Sequence, residues 1–266
     1  MKLSCSTWCF NRMKPEEAYT KIGSYGAFQG VEAVTHAPCF HLDVGWTDDR
    51  VAEIKKVLAD HRLVLSAVSP ATEYLQFDAD GQHAQSHHTL AQIDLALHFG
   101  CKQLRIFAGG RVPKNRTKQE MISAVVACLE PVIDYAAEKG VVLSIENHGE
   151  FGRTYELHSA VFDAVKSPWV GMTLHTGGID RMTEDYLAMV RKFAPRITHM
   201  HLNDSMVTPD GRFGQCALGE GSLDIPAILS ILEEYGYNGY YNLEFGDENS
   251  DLLIRKSLAY LEKLGK

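Results

Sequence analysis

The sequence lacks the long apolar runs of a membrane protein and the apolar leader of a secreted one. Its apolar runs are all far shorter than the roughly 20 residues that a transmembrane helix needs. The opening residues, Met1 to Ser6, contain no apolar core of the signal-peptide kind. The 6 cysteines include no Cys-X-X-Cys pair, and we expect reduced thiols. We therefore predict a cytoplasmic protein that binds no membrane.

The chain also has little concentrated positive charge. Lys and Arg together number 26 against 34 Asp and Glu, which gives a formal net charge of −8. Nucleic-acid-binding proteins usually carry a basic stripe that meets the phosphates. The densest basic cluster here, Lys114 to Lys118, is typical of a solvated loop before a helix. The glycines at 109–110 and 219–221 lack the Lys-Ser/Thr of a phosphate-binding loop. We expect no nucleic-acid partner.

Short apolar runs alternate with helical patterns along the whole chain. The eight runs are Leu3–Ser6, Gly30–Val34, Leu63–Val68, Gln103–Phe107, Val141–Ile145, Val170–Leu174, Ile197–Leu202 and Tyr240–Phe245. Each is short enough for a strand, and helical patterns follow, such as 117–139, which opens with a capping box of Thr117 and Glu120. Strict alternation indicates a parallel sheet with helices outside it. Eight units in 266 residues predict an α/β fold, a (β/α)8 TIM barrel.

An open doubly wound sheet is the rival architecture. It usually has fewer strands, and no Gly-X-Gly-X-X-Gly follows the first run. Hydrophobic residues make up 45% and charged residues 23%, as in ordinary globular domains. No linker, repeat or change in composition divides the chain. We expect a single domain over residues 1–266.

Polar side chains follow the last four of these runs. In a TIM barrel the chemistry takes place at the carboxyl ends of the strands. Strand side chains alternate between two faces, so His199 and His201 share one face while Met200 and Leu202 share the other. If the apolar face packs on the helices, the polar face points into the barrel. The same parity, applied to the last four runs, directs four side chains to one mouth: Glu146, His175, His201 and Glu244.

Two carboxylates and two imidazoles are a donor set suited to a divalent ion such as Mn, Co, Zn or Fe. Any one of the four residues, taken alone, is better explained as a buried polar residue with a local partner. Taken together at neighbouring strand ends, they favour one divalent metal ion, because buried carboxylates are costly without a partner. We predict Glu146, His175, His201 and Glu244 as its ligands.

The order of these motifs resembles that of the xylose-isomerase-like barrels, the superfamily of sugar phosphate isomerases and epimerases, ketose 3-epimerases and inosose dehydratases. The resemblance covers the whole chain and is strongest at Ser-Ile-Glu-Asn-His (144–148), His-Met-His-Leu-Asn-Asp (199–204), Leu-Gly-Glu-Gly-Ser-Leu-Asp (218–224) and Asn-Leu-Glu-Phe (242–245). It implies metal ligands at Glu146, position 175, His201 and Glu244. The family commonly has Asp-Thr-Gly-His or Asp-Thr-Gly-Asn where this chain has His175-Thr-Gly-Gly178.

This departure leaves three alternatives for His175. The imidazole binds the metal in place of the aspartate, or it swings aside and leaves three ligands, or the metal is lost. A neutral imidazole nitrogen is a competent ligand. The site would then carry one negative charge less than usual.

The resemblance implies an enzyme of carbohydrate metabolism with a small sugar or sugar derivative as its partner. Our first hypothesis is an isomerase or epimerase, in which Glu146 and Glu244 remove and return a proton beside a metal-polarised carbonyl through an enediolate. The alternative is a lyase of the dehydratase kind acting on an inosose or 3-keto-sugar, with His148 or His199 as the general acid. A non-catalytic carbohydrate-binding barrel is the third reading. Formation of a homo-oligomer is left open.

Five further residues are weaker candidates. Trp8 is expected either in the core or as a wall for a sugar ring, and Glu32 either contacts substrate or braces a metal ligand. His36 and His41, in the loop after the second run, are expected to be solvated, and so is Arg212 in the long loop after the seventh.

Overall fold

Eight parallel strands form a closed barrel in the computed structural model, which describes residues 1–207, 211, 213–246 and 248–266. The barrel strands are β1 (Lys2–Ser6), β2 (Gly30–Val34), β3 (Val64–Ser69), β4 (Gln103–Phe107), β5 (Val142–Glu146), β6 (Val170–His175), β7 (Ile197–Leu202) and β10 (Tyr240–Leu243). Neighbours in sequence are neighbours in the barrel, and β10 closes it by pairing with β1 and β7. The TIM-barrel prediction is confirmed.

Helices follow the barrel strands and cover the outside of the sheet. They are α1 (Pro15–Gly23), α2 (Asp48–Asp60), α3 (Ala79–His98), α4 (Lys118–Lys139), α5 (Gly149–Arg153), α6 (Tyr155–Ala164), α7 (Tyr186–Phe193), α8 (Ile225–Glu234) and α9 (Ser250–Lys263). The capping box predicted for α4 is present, with Thr117 and Glu120 bonding each other's backbone N–H. The helix ends at Gly140, whose φ of 65° suits a residue without Cβ. In the part of the chain that the structure describes, none of the helices is both long and apolar enough to cross a membrane.

The strand faces divide as the alternation predicts. Leu143 and Ile145 of β5 and Met200 and Leu202 of β7 belong to the hydrophobic core under the helices, with no exposed surface. The polar residues between them lie inside the barrel and meet each other there. This division places the polar ends of β5 to β7 and of β10 at one mouth.

A two-stranded hairpin over this mouth was not predicted. It consists of β8 (Asp204–Val207) and β9 (Phe213–Cys216), paired antiparallel. The buried Asp204 carboxylate accepts hydrogen bonds from the backbone N–H groups of Ser205, Gly219 and Gly221 at 2.8–3.1 Å, and so fastens the hairpin to the following loop. A Cβ at Gly221 would lie 2.1 Å from Asp204 Oδ1, which explains the glycine. The hairpin strands, Asp-Ser-Met-Val and Phe-Gly-Gln-Cys, contain no apolar run of the kind that indicated the barrel strands.

A buried histidine on the inner face of α6 gives a prediction for stability against acid. His158 has no exposed surface, and neither ring nitrogen has a hydrogen-bond partner. It packs between Phe162 and Phe193, with ring centroids 5.1 and 5.7 Å away. Burial lowers the pKa of His158 to about 4, from an ordinary value of 6.5.

Below pH 6.5 the unfolded chain therefore takes up a proton that the folded chain refuses until about pH 4. Stability is lost as the pH falls through this window, by about 3 kcal/mol in full. We expect His158→Phe to remove this loss of stability. The unfolding free energy of the variant should therefore fall less than that of the wild type between pH 7.5 and pH 4. Urea unfolding at both pH values measures the difference. His98→Gln, which changes an exposed histidine of α3, should follow the wild type; a His158→Phe variant that does the same contradicts the prediction.

Candidate metal centre and active site

Four side chains from different strand ends converge at the mouth of the barrel. Glu146 ends β5, His175 ends β6, His201 lies in β7 and Glu244 follows β10. One nitrogen or oxygen of each lies within 4.8 Å of one such atom of every other. The His175 Nδ1 atom is 3.0 Å from Glu146 and 3.4 Å from Glu244. The His201 Nδ1 atom is 3.3 Å and 3.0 Å from the same two carboxylates.

The donor atoms of this cluster fit a cation better than they fit each other. The Nδ1 atoms of His175 and His201 are buried, and neither makes a hydrogen bond of acceptable geometry with the nearby carboxylate oxygens. Glu146 Oε2 is likewise buried without a hydrogen bond. Buried polar atoms seldom remain unsatisfied in this way without a reason. Two carboxylates and two imidazoles, aimed at one point, can hold a divalent ion of the Mn, Fe, Co or Zn type.

The charges of the four groups shift one another's pKa values. Burial alone would raise the pKa of Glu146, but the facing imidazoles of His201 and His175, together with Arg105, hold it well below its usual range. The imidazoles likewise hold the pKa of Glu244 at about 2 against the effect of burial. Conversely, the carboxylates raise the pKa of His201 and of His175 although burial opposes protonation. A metal ion would therefore displace protons from the imidazoles when it binds.

The backbone and ring of His175 are fixed by two asparagines. Its backbone N–H donates to Asn147 Oδ1 at 2.7 Å, and Asn147 Nδ2 donates to its carbonyl at 2.9 Å. On the ring, Asn203 Nδ2 donates to Nε2 at 3.3 Å, so a neutral ring carries its proton on Nδ1, and binding a metal there would require the other tautomer and the loss of this hydrogen bond. The ring is thus turned into the cluster with Nδ1 towards the carboxylates. Whether it binds a metal there stays a prediction.

His201 is braced from the other side of the barrel. Its Nε2 atom is 2.7 Å from Glu32 Oε2, and His199 Nε2 is 2.5 Å from the same oxygen. Of the two roles considered for Glu32, the structure shows the brace; the carboxylate is fully buried behind His201. Such carboxylate–histidine pairs fix the ring and its tautomer. His199 lies beside Glu32 and is not among the residues that line the cavity described next, so this geometry does not support it as a general acid.

A cavity of about 180 Å³ opens beside the cluster. It is lined by Trp8, Val34, His36, Arg105, Phe107, Glu146, His148 and Glu244. Its volume is below the about 300 Å³ of common ligand pockets, but its lining of aromatic side chains with a few charged groups is typical of them. Trp8, one of the weaker candidates, is therefore a wall residue, and its ring centroid is 5.7 Å from that of His36.

His148 lies on this cavity near both the cluster and an aromatic wall. Its ring centroid is 4.8 Å from that of Phe107 and 6.0 Å from that of His175. The side chain is exposed, and among the described residues no hydrogen bond to its ring nitrogens occurs. Partial burial of the ring nonetheless lowers the pKa of His148, so the imidazole is neutral at ordinary pH and would take up a proton before it could donate one.

Sequence reasoning missed three residues of the cavity, Val34, Arg105 and Phe107, and misplaced a histidine. Arg105 of β4 stands inside an apolar run, and the period-two parity that was applied to β5–β7 would have directed it inwards too. His41, expected to be solvated, is fully buried, with Nε2 3.1 Å from the Met13 carbonyl oxygen. That expectation was wrong because the loop after β2 folds back under α1, where Tyr19 donates to the His41 carbonyl. Arg212 lies outside the described residues.

Residues 20–264 match the family model described as xylose isomerase-like TIM barrel. Among curated proteins, mannonate dehydratase 2 of Agrobacterium fabrum is 31% identical over 118 residues, which cover 41% of this chain and 30% of that protein. The match to the curated relative MJ1188 of Methanocaldococcus jannaschii, itself uncharacterised, covers 57% of its length. The chain thus spans less than two thirds of these relatives.

Solved structures of the same fold cover nearly the whole chain. The IOLI protein with a bound zinc atom superimposes with a TM-score of 0.81 at 16% identity, over 98% of this chain and 96% of that one. The 3-keto-D-glucoside 4-epimerase of E. coli gives a TM-score of 0.79 at 18% identity, over 99% of both chains. At these identities the likeness establishes the fold alone.

Proposed function

Because the chain belongs to the xylose isomerase-like TIM barrel family, we propose that it is a metal-dependent enzyme that isomerises or epimerises a small sugar or sugar derivative. The observation that carries the proposal is the convergence of two carboxylates and two unbonded imidazole nitrogens on a small cavity. The fold is shared with a protein named as a sugar epimerase, which supports the same class of chemistry.

In this proposal, Glu146, His175, His201 and Glu244 hold one divalent ion, with Mn, Co, Zn and Fe as the candidates. A structure of the same fold contains zinc, which supports a metal of this kind. When bound, the ion would polarise a substrate carbonyl and stabilise the negative charge that develops on it. Glu32 would keep His201 in the tautomer whose Nδ1 is free to bind.

The two carboxylates would move the proton. Glu146 and Glu244 both line the cavity, so both can reach a carbon next to the substrate carbonyl. The imidazoles hold both pKa values low, so both carboxylates are ionised at neutral pH and can accept a proton, although a low pKa makes each a weaker base. One would take the proton, and the other would return it from the opposite side of the carbon. Trp8 and Phe107 would hold the carbon skeleton against the aromatic wall.

A dehydratase is the second candidate function, and a specific residue favours it. Elimination shares the first proton removal but also needs a general acid that protonates the leaving hydroxyl group. His148 stands on the cavity with an unbonded ring, 6.0 Å from the His175 ring centroid. The relative named mannonate dehydratase 2 supports the same reaction class.

The single domain over residues 1–266, the cytoplasmic location and the homo-oligomer stay predictions.

Product analysis in deuterated water separates the two reactions. The metal-loaded enzyme is incubated with ketoses, inososes and 3-keto-sugars, and the products are analysed by mass spectrometry. An isomerase or epimerase returns a compound of substrate mass with up to one added deuterium, whereas a dehydratase returns one lighter by water. Loss of His148 should slow dehydration more than proton exchange. Metal-loaded protein that neither exchanges a proton nor converts any of these compounds would contradict the proposal.

The exchange of aspartate for histidine at position 175 can be tested by substitution. Loss of a group that only braces a ligand lowers metal affinity by about 10- to 100-fold. His175→Ala should lower it further, because this change removes a ligand. His175→Asp should retain or strengthen binding, since a carboxylate attracts the cation more strongly than a neutral ring. Calorimetric titration with Mn²⁺ measures both, with His36→Ala as the control imidazole on the same cavity. Unchanged affinity in His175→Ala would show that the ring is no ligand.

A further inference from the structure

A buried arginine stands in the wall of the cavity. Arg105 has only 3% of its surface exposed and stacks on Phe107, with its guanidinium carbon 3.9 Å from the ring centroid. Its Nη1 atom donates to the Pro70 carbonyl at 3.0 Å, which fixes the orientation of the group. An arginine costs a great deal to bury unless an anion meets it. Arg105 is therefore expected to have a negatively charged partner.

Glu146 compensates the charge of Arg105 only in part. Its Oε2 atom is 3.2 Å from Arg105 Nε, yet both atoms lack a hydrogen bond of acceptable geometry. The same carboxylate also faces the Nδ1 atoms of His175 and His201 at 3.0 and 3.3 Å. If Glu146 also binds a cation, its single charge is shared between that cation and Arg105. The remaining guanidinium donors meet no acceptor among the described residues, since the contacts of Arg105 are those with Glu146 and Pro70.

Among the residues that line the cavity, one positive charge is left over, that of Arg105. A divalent ion would balance the charges of Glu146 and Glu244, while His175 and His201 bind it as neutral rings. Arg105 then contributes one positive charge for which the cavity wall offers no second anion, because Glu32 lies buried behind His201 and does not line it. The described lining residues include this one arginine and no lysine. A single planar guanidinium matches a carboxylate in shape and charge.

We infer that the substrate is a small polyhydroxy acid whose carboxylate is bound by Arg105. The inference rests on the proposed function and narrows its substrate class from sugars in general to sugar acids and related carboxylates. Arg105 would fix the acid end of the molecule beside Phe107 and leave the carbonyl carbon to the metal cluster. The alternative is that Arg105 only positions Glu146, and the two roles make different predictions.

Matched pairs of ligands distinguish these roles by binding, without reference to turnover. Gluconate is compared with sorbitol, and quinate with myo-inositol, by calorimetry on the Mn²⁺-loaded protein. We expect the acid of at least one pair to bind more tightly than its neutral counterpart. Arg105→Gln should weaken binding of that acid by about 10- to 100-fold, the scale of a hydrogen-bonded charged pair, and leave the neutral polyol unchanged. Arg105→Lys keeps the charge but loses the planar guanidinium group, so its affinity for the acid should lie between those of the wild type and Arg105→Gln.

Arg181→Gln is the matched control. Arg181 also stacks on a phenylalanine, Phe213, at 4.6 Å, but it is exposed and does not line the cavity. Its loss should change none of the affinities. The inference is overturned if neither acid is preferred, if the preference survives in Arg105→Gln, or if Arg105→Gln weakens acid and polyol equally. A wild-type protein that binds no Mn²⁺ overturns the proposed function and the inference together, so Mn²⁺ titration comes first.

Discussion

Replacing Glu146 or Glu244 by glutamine should lower turnover by about 10²- to 10⁴-fold, the usual range for a lost general acid or base. Glutamine keeps the shape of the side chain but removes the charge that accepts a proton. Both carboxylates also face the cluster nitrogens at 3.0–3.4 Å, so metal affinity should fall as well. Rates are therefore compared at saturating Mn²⁺, with a substrate found by the screen in deuterated water.

Deuterium exchange makes this test sharper than the rate alone. If one carboxylate removes the proton and the other returns it, each variant should lose product formation, but only the variant lacking the first base should also lose exchange of the substrate proton. Glu248→Gln serves as the control because Glu248 is exposed and pairs with Arg12 on the surface. Full activity in both cavity variants would show that the proton is moved by other groups.

The residues of the cluster could be predicted because their positions depend on local alternation. Strand parity is a property of neighbouring residues, so His199 and His201 could be assigned to one face without knowledge of the fold. The barrel prediction then supplied the common mouth, since all parallel strands end on the same side. Parity and the barrel together therefore predicted that Glu146 and His175 lie at one mouth, although they are 29 positions apart in the sequence.

The braces of the cluster could not be predicted in the same way. Glu32 reaches His201 across the barrel from β2 to β7, and nothing in either strand alone indicates that the two side chains meet. The pairing of β6 with β7 also shifts in register at Met172/Thr173, which brings Thr198 into contact with Ser144 on β5. A shift of this kind is set by packing of the whole sheet and leaves no period in the sequence.

Addition of Mn²⁺, Co²⁺ or Zn²⁺ should stabilise the folded protein markedly. At a free metal concentration about 1,000 times the dissociation constant, binding to the folded state alone contributes about 4 kcal/mol. For a chain of this size, that corresponds to a rise of roughly 8–16 °C in the melting temperature. The effect should be large because the ligands come from four strand ends, which the unfolded chain does not hold together.

A chelator should reverse this stabilisation, and low pH should weaken it. The carboxylates raise the pKa of His201 and His175, so both rings tend to be protonated in the metal-free protein, and a ring must lose its proton to bind. Metal affinity should therefore increase as the pH rises towards and through neutrality. Glu32→Gln should reduce the rise in melting temperature that the metal causes, because the brace on His201 Nε2 is weakened. His36→Ala should preserve that rise. If elemental analysis finds no metal and no ion moves the melting temperature, the buried cluster is held by shared protons alone, and a metal-dependent mechanism does not apply to this chain.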